Sequence, residues 1–321
     1  MASERLRVGV VGYGNLGRAL VDEALHSPDL TLVGVFSRRE AGALEGRIEG
    51  VSYYPYAMLD ECLDIDILLL AGGSATDLPK MSPHLLSRYN VIDSFDTHEK
   101  ISEHRERCNE AAMGGDRLGL ISVGWDPGVF SLARVLFRAI MRHGGVLTSW
   151  GRGLSQGHSD ALRRIDGVLD ARQYTVPRED VIASVISGEV TSASPFSLHK
   201  RECYIVADEA ADKARIEADI RAMPYYFSGY DVSIHFVGRE ELYEKCSSLA
   251  HGGRVVGFDN GSPRHEISLS LSTESNPHLT ASIMLAYARA AFRMWRDGMR
   301  GAFTVLDVPP AVLLNGVEGM I

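Results

Sequence analysis

Cysteine is scarce in this chain: Cys62, Cys108, Cys203 and Cys246 lie scattered, and no two form a C-x-x-C pair. That spacing argues against a disulfide framework or a thiolate zinc site and for reduced thiols. The eleven histidines show no H-E-x-x-H or similar spacing, so no metal is expected. No apolar run approaches the ~20 residues that span a bilayer. The stretch "MASERLRVGVVGYG" lacks the apolar core and cleavage pattern of a secretory signal. A cytoplasmic protein without a membrane partner is the expectation. Positive charge is also short. The net charge of −9 argues against a general nucleic-acid partner, which wants a basic face. Internal repeats and low-complexity segments are missing too. What remains is an ordinary globular composition over 321 residues, long enough for two domains.

The first half has a clear organisation. "RLRVGVVGYGNLGRALVDEALHSPDLTLVGVFSRR" reads as strand, helix, strand. Residues 7–11 are an apolar run suited to a strand buried on both faces. Gly12, Gly14 and Gly17 fill the G-x-G-x-x-G template at the turn. The first glycine allows the tight turn, the second admits a pyrophosphate, and the third lets helix and strand pack closely. Leu16, Leu20 and Leu25, with Ala19 and Ala24, form the apolar face of the helix.

A ribose-binding carboxylate is missing from the end of the second strand. Ser37, Arg38 and Arg39 stand there instead, with Arg38 21 residues beyond Gly17. A carboxylate there would repel a 2′-phosphate, whereas a hydroxyl and two guanidinium forks suit one. The expected cofactor is NADP(H).

Three further strands follow in "DIDILLLAGGSATD", "NVIDSFDTHEK" and "RLGLISVGWDPGVF". Ligands in such folds lie beyond the carboxyl ends of the strands. That places Gly72 to Thr76, including Ser74, near the pyrophosphate or nicotinamide ribose, and brings Asp93, Asp96 and His98 together after the next strand. Asp93 reads as a structural turn residue. For Asp96 and Asp126, spacing leaves a capping or turn role and a functional one both open.

In the second half, "HKRECYIVAD" and "YDVSIHFVG" show period-two patterning around the amphipathic helix of "AADKARIEADIRAMPYYF". Antiparallel-looking strands of this kind predict an open sheet that packs against its twin in a dimer. A loop holding Gln156, Gly157 and His158 is expected to lead into a helix whose exposed N–H groups suit a carboxylate; the alternative is an ordinary helix start behind a polar loop, capped by Ser159 or Asp160. His251, in "AHGGRV", raises the same question, and a lone histidine beside glycines is more often a hydrogen-bonding turn residue than a catalytic one. The tail predicts a long helix ended by Gly, then a strand that returns to the first domain. The expected class is α/β: an N-terminal Rossmann doubly wound parallel sheet with a second α+β open-sheet substrate and dimerisation domain. The first domain would span 1–125 completed by 277–321, and the second 126–276.

These segments together resemble the meso-diaminopimelate dehydrogenase family. The matching stretches are "VGYGNLGR", "FSRR", "GSATD", "GWDPG", "WGRGLSQGHSDALRRI", "QYT", "HKRECYIVAD", "PYYFSGY", "AHGG", "NP" and "GAFTVLDV". They run in order through nearly the whole chain, and "GLSQGHSDALRRI" is far more specific than the glycine fingerprint. The resemblance implies a cytoplasmic homodimer that oxidatively deaminates the D-centre of meso-2,6-diaminopimelate with NADP. It implies a substrate site of Asp96, Asp126, Trp150, Gln156, Gly157, Thr175, Arg201, His251 and Asn276. It assigns the cofactor to Tyr13, Asn15 and Leu16 beside the glycines, to Ser37, Arg38 and Arg39, to Ala75, Thr76, Asp77 and Leu78, with His98 nearby. Pro127, Gly128, Val129, Phe130 and Ser131 would lie close to the nicotinamide. Arg152 departs from the family's usual W-G-P-G, leaving the turn beside Trp150 without a proline's stiffness.

The residue chemistry fits these roles. Arg201 can clamp the distal L-carboxylate bidentately, with Thr175 and His251 adding hydrogen bonds and Asn276 orienting the distal amine. Gln156 and Gly157 would present donors to the reacting-end carboxylate. Asp96 and Asp126 would hold the D-amino group against Trp150, and Asp126 is the expected proton acceptor. A different NADP-linked reductase would leave "GLSQGHSDALRRI" unexplained. A non-catalytic NADP(H) sensor would not need Asp126, Trp150 and Arg201 together.

Overall fold

The computed structural model describes residues 5–61, 64–141, 143–190, 193–224, 226–246 and 248–314, without the side chains of Gln156 and Pro195. Cys62 lies outside the described residues. The chain begins β1 (Leu6–Val11), α1 (Asn15–Leu25), β2 (Leu30–Ser37), β3 (Tyr53–Pro55), β4 (Ile67–Leu70), α2 (Leu78–Leu86), β5 (Asn90–Asp93), α3 (Ile101–Gly115), β6 (Leu118–Leu120) and α4 (Val129–Ile140). It continues with β7 (Gly145–Trp150), β8 (Gly153–Leu154), α5 (Gln156–Arg163), β9 (Val168–Pro177), α6 (Glu179–Ser187), α7 (Pro195–Leu198) and β10 (His199–Ala207). Then come α8 (Lys213–Ala222), β11 (Asp231–Phe236), α9 (Arg239–Cys246), β12 (His251–Asp259), β13 (His265–Thr273), α10 (Asn276–Arg296) and β14 (Gly301–Phe303).

The chain divides into two compact units, Met1–Leu132 with Pro277–Ile321, and Ala133–Asn276. The first join falls inside α4 rather than at the expected 125/126. The start of α4 belongs with the turn before it, because Val129 N–H donates to the Gly124 carbonyl and Phe130 N–H to that of Trp125.

In the first unit seven strands lie in the order β14-β6-β5-β4-β1-β2-β3, and every pairing in this sheet is parallel. This is the doubly wound order, with the switch point beside β1. The four residues of β4 are completely buried, which explains why its sequence is a run and not an alternation. Ile67 and Leu69 pack with Leu20 of α1 and Leu285 of α10, while Leu68 and Leu70 pack with Leu85 of α2 and Ala112 of α3. Each such side chain contributes about 1.5–3 kcal/mol by leaving water. On α1 the buried face is Gly17, Leu20, Val21 and Ala24, the i, i+3, i+4, i+7 stripe. Leu25 was expected on that face but is 49% exposed, one residue of rotation beyond it.

The second unit holds two sheets rather than one open sheet, β11-β10-β9-β8 and β13-β12-β7. β9 and β10 are antiparallel, with Thr175 opposite Arg201 and Tyr174 opposite Glu202. β10 and β11 are parallel, against the antiparallel expectation. The crossover through α8 dictates this, since it returns the chain in the same direction. α8 stops before Pro224, with Met223 already extended. Side chains alternate across this sheet. Ala171, Cys203 and Ile205 face Leu162 of α5 and Ile216 and Ile220 of α8. Tyr174 and Val206 face Leu242 and Cys246 of α9 on the other side. No helix among the described residues is long and apolar enough to cross a membrane.

Candidate active site

The glycine turn is built to admit an anion. Gly12 has φ +97°, and a Cβ at Gly17 would sit 2.1 Å from the Gly12 carbonyl oxygen. A side chain is therefore excluded at Gly17 by close helix packing and disfavoured at Gly12 by its backbone. A Cβ at Gly14 would meet nothing within 4 Å, so that face of the turn is open. α1 begins there with no acidic residue in its first turn and no side-chain cap. Its orphan N–H groups and dipole favour a phosphate.

A cavity of about 230 Å³ adjoins this turn. Gly12, Tyr13 and Gly14 line one side, and Ser37, Arg38 and Arg39 another. Tyr56, Met81 and Asp77 also line it; of these only Asp77 was expected. Ser37 is buried and accepts the Arg39 N–H at 3.0 Å. Arg39 Nη2 donates to the Tyr13 carbonyl at 2.8 Å, tying the basic loop to the glycine turn. Arg38 Nη2 lies 2.7 Å from Asp77 Oδ1. The carboxylate missing from β2 thus comes from the turn before α2, and a bound phosphate must share or displace it.

The other proposed cofactor residues divide by exposure. Leu78 and Phe130 are fully buried core side chains, so only their backbone could serve a ligand. Ala75, Thr76 and His98 are exposed. Asn15 accepts a hydrogen bond from Arg18, and Leu16 packs against the core. Ser74 Oγ accepts the Asp96 N–H at 3.1 Å. The turn from Pro127 leads into α4 through Gly128, whose φ is +134° and whose N–H donates to Ser131 Oγ. Asp96 is exposed and Asp126 half-buried, and both stand beyond the carboxyl ends of parallel strands.

In the second unit the register across β9 and β10 sets Thr175 against Arg201, and the Arg201 guanidinium donates to the Thr175 hydroxyl. Both are buried, and the Arg201 Cζ lies 4.1 Å from the centre of the Tyr230 ring. Burial lowers the pKa of Arg201, and its Nε has no hydrogen-bond partner. A buried, incompletely satisfied cation is costly unless an anion completes it. His158 lies nearby, its Nδ1 on the Ser155 hydroxyl and its Nε2 unpartnered. Burial, with the Arg201 charge, pushes its pKa down to about 3, so its imidazole is neutral.

Gln156 and Gly157 open α5 rather than preceding it in a loop, and Ser155 is the N-cap. The alternative cap from Ser159 or Asp160 does not form, because Ser159 Oγ donates to the Ser155 carbonyl and Asp160 pairs with Arg163. The Gln156 side chain lies outside the described residues. The Trp150 N–H donates to His199 Nε2 at 3.0 Å. His251 starts β12, its ring filling the space over Gly153, where a Cβ would approach within 2.3 Å. Burial lowers its pKa, and Nδ1 accepts the Gly252 N–H. The Asn276 N–H donates to the Leu249 carbonyl. Tyr230, His199 and the Ser155–His158 pair escaped the sequence reading, although Tyr230 stands in "PYYFSGY" and His199 in "HKRECYIVAD".

Comparison with known proteins decides the family. A family model described as the diaminopimelic acid dehydrogenase C-terminal domain matches residues 124–275. The meso-diaminopimelate D-dehydrogenase of Acetivibrio thermocellus is 45% identical over 97% of this chain and 94% of its own. The chain belongs to the meso-diaminopimelate D-dehydrogenase family. A solved diaminopimelate dehydrogenase of Corynebacterium glutamicum in complex with diaminopimelate is similar over 99% of this chain and 98% of that one, with TM-score 0.92 and 42% identity. An engineered D-amino acid dehydrogenase bound to NADP+ is similar over 98% of each chain, with TM-score 0.89 and 40% identity. As a member of a dehydrogenase family the chain is an oxidoreductase. In this meso-diaminopimelate D-dehydrogenase family member, the glycine turn lies in the first unit and the buried Arg201–Thr175 pair in the second.

Proposed function

We propose that this chain oxidatively deaminates the D-centre of meso-2,6-diaminopimelate with NADP+, giving L-2-amino-6-oxopimelate and ammonia. The oxo product cyclises to tetrahydrodipicolinate, and the reversible reaction serves lysine and diaminopimelate biosynthesis. The observation that carries the reading is the buried Arg201–Thr175 pair, a carboxylate site with an unpartnered guanidinium nitrogen. It stands in a chain 45% identical to a meso-diaminopimelate D-dehydrogenase.

Arg201 and Thr175 hold the carboxylate of the L-end, with His251 and Asn276 orienting that end. The N–H groups that open α5 at Gln156 and Gly157 receive the other carboxylate. Asp96 and Asp126 bind the D-amino group, and Asp126 takes its proton as the C–H bond breaks. NADP+ supplies the hydride acceptor, held by the glycine turn and by Ser37, Arg38 and Arg39. Water adds to the resulting iminium carbon, and ammonia leaves. Most of the acceleration comes from positioning, since the cofactor carries the redox chemistry. The first unit holds the cofactor and contributes Asp96 and Asp126, and the second serves the rest of substrate binding and a homodimer contact in a cytoplasmic enzyme.

The test mixes protein, NADP+ and meso-diaminopimelate at alkaline pH and follows NADPH absorbance, with the LL and DD isomers and NAD+ in parallel. A rise confined to the meso isomer with NADP+ is expected. NADPH binding without any rise would move the chain to another substrate or to a sensor role.

A further inference from the structure

One buried carboxyl group ties together the two loops that carry Asp96 and Asp126. Asp93 ends β5 and is fully buried. Its Oδ1 accepts the Phe95 N–H at 3.1 Å and the Ser122 N–H at 2.8 Å. Its Oδ2 accepts the Ser82 hydroxyl at 2.6 Å and lies 2.7 Å from His104 Nε2. The Asp93 carbonyl accepts the Val123 N–H. Ladder pairing between β5 and β6 stops at Ile92 and Leu120, so the Asp93 group continues the connection where the ladder has ended. Ser122 has φ +57°, a conformation that L-residues rarely adopt without local support.

The hub is itself braced. His104 is buried on α3, and its ring stacks on Phe95 at 4.2 Å. Phe95 immediately precedes Asp96, while Ser122 and Val123 lead to Asp126. We propose that Asp93, braced by His104, is a positioning residue that sets Asp96 and Asp126 relative to each other for the reacting amine. This rests on the roles proposed above for those two carboxylates.

The cluster of Asp93, His104 and the Cys108 thiol has the residue types of a metal site, with ligand atoms within 4.8 Å of one another. Burial and the Asp93 charge raise the thiol's pKa well above its ordinary value, and both Asp93 oxygens are already engaged by hydrogen bonds. The geometry therefore favours a clasp over a cation site.

The experiment compares His104→Leu and His104→Gln in the full-length, NADP-loaded protein. It reads kcat and KM for meso-diaminopimelate, NADPH affinity, and amide hydrogen exchange in segments 94–98, 121–127 and 12–25. Since small misplacements of reacting groups cost large factors, His104→Leu should lower kcat about tenfold or more, with NADPH affinity held within about twofold. Exchange should quicken in both loops and not in 12–25. His104→Gln, which keeps an N–H donor for Oδ2, should restore most of both. Asp93→Asn, which replaces an acceptor oxygen by a donor, should resemble His104→Leu. Wild-type kcat in His104→Leu, no recovery in His104→Gln, or exchange that quickens throughout the first unit would each overturn the proposal. A wild-type chain inactive on meso-diaminopimelate would overturn the functional reading and with it the catalytic role of the clasp. The two-loop exchange result would still tell that failure apart from failure of the clasp itself.

Discussion

The Arg201 guanidinium lies over the face of Tyr230, 4.1 Å from the ring centre, while donating to the Thr175 hydroxyl. A π face and a hydroxyl soften the burial of this cation but do not neutralise it. No carboxylate among the described residues pairs with it, which is the basis for proposing a substrate carboxylate as its partner. Arg201→Met keeps the bulk and removes the charge. Loss of charge-assisted hydrogen bonds worth about 1.5–3 kcal/mol predicts a KM for meso-diaminopimelate raised about 10–100-fold. Simple D-amino acids, which lack the distal carboxylate, should lose little. Steady-state kinetics on both substrates check this, and equal losses on both would remove Arg201 from substrate recognition.

Local features of this site were legible in the sequence, and those made by distant elements were not. The glycine turn was readable because strand, turn and helix are neighbours in the chain. Arg201 and Thr175 were assigned by resemblance, but their direct opposition exists only in the β9–β10 register. Tyr230 arrives from the turn before β11, which no periodicity connects to Arg201. Arg38 and Asp77 are 39 residues apart, so the acidic neighbour of the basic loop was invisible. The parallel β10–β11 pair was missed because alternation reports which face is buried and says nothing about strand direction. At Gln156 a polar, glycine-containing stretch read as a loop, while the tertiary contacts of α5 with β9 made it the first helical turn.

The two arginines of the basic loop should separate by phenotype. Arg38 is largely exposed and meets Asp77, whereas Arg39 also ties the loop to the Tyr13 carbonyl. Arg38→Ala should weaken NADP+ binding about tenfold or more, with NAD+ changed by less than about twofold, because only NADP+ offers the 2′-phosphate. Arg39→Ala should weaken both, since the glycine turn loses a brace. Fluorescence titration with each cofactor is the measurement. Equal losses for the two cofactors in Arg38→Ala would assign that residue a merely structural role.

Acid should destabilise the second unit through its histidines. The folded pKa of His158 is pushed down to about 3, and that of His251 is also lowered. An unfolded imidazole takes a proton near 6.5, so between about pH 6.5 and 3 the unfolded chain binds more protons than the folded one. The stability His158 contributes is therefore present above about pH 6.5 and lost as pH falls towards about 3, and the lowered pKa of His251 acts in the same direction. Each such group adds a slope of up to about 1.4 kcal/mol per pH unit. His158→Asn should flatten this slope between about pH 6.5 and 4 in urea unfolding. An unchanged slope would mean that His158 is protonated in the folded state.

At Arg152, where the resemblance implies a proline, the surroundings predict a mild effect. Its guanidinium pairs with Glu202 and lies 4.8 Å from the Tyr174 ring centre. Tyr174 and Glu202 oppose each other across β9 and β10. Their side chains therefore leave the sheet on the face away from Thr175 and Arg201. Arg152 is thus directed away from the Arg201–Thr175 pair, and the half-exposed ion pair it makes is worth at most about 1 kcal/mol. Arg152→Pro should leave kcat/KM for meso-diaminopimelate within about threefold and shift unfolding free energy by less than about 1 kcal/mol. Kinetics on meso-diaminopimelate and on simple D-amino acids, with a urea melt, measure both. A tenfold sharpening of selectivity in the proline variant would show the opposite coupling, with the stiffness of the Gly151–Gly153 turn transmitted to Trp150 despite the side chain's orientation.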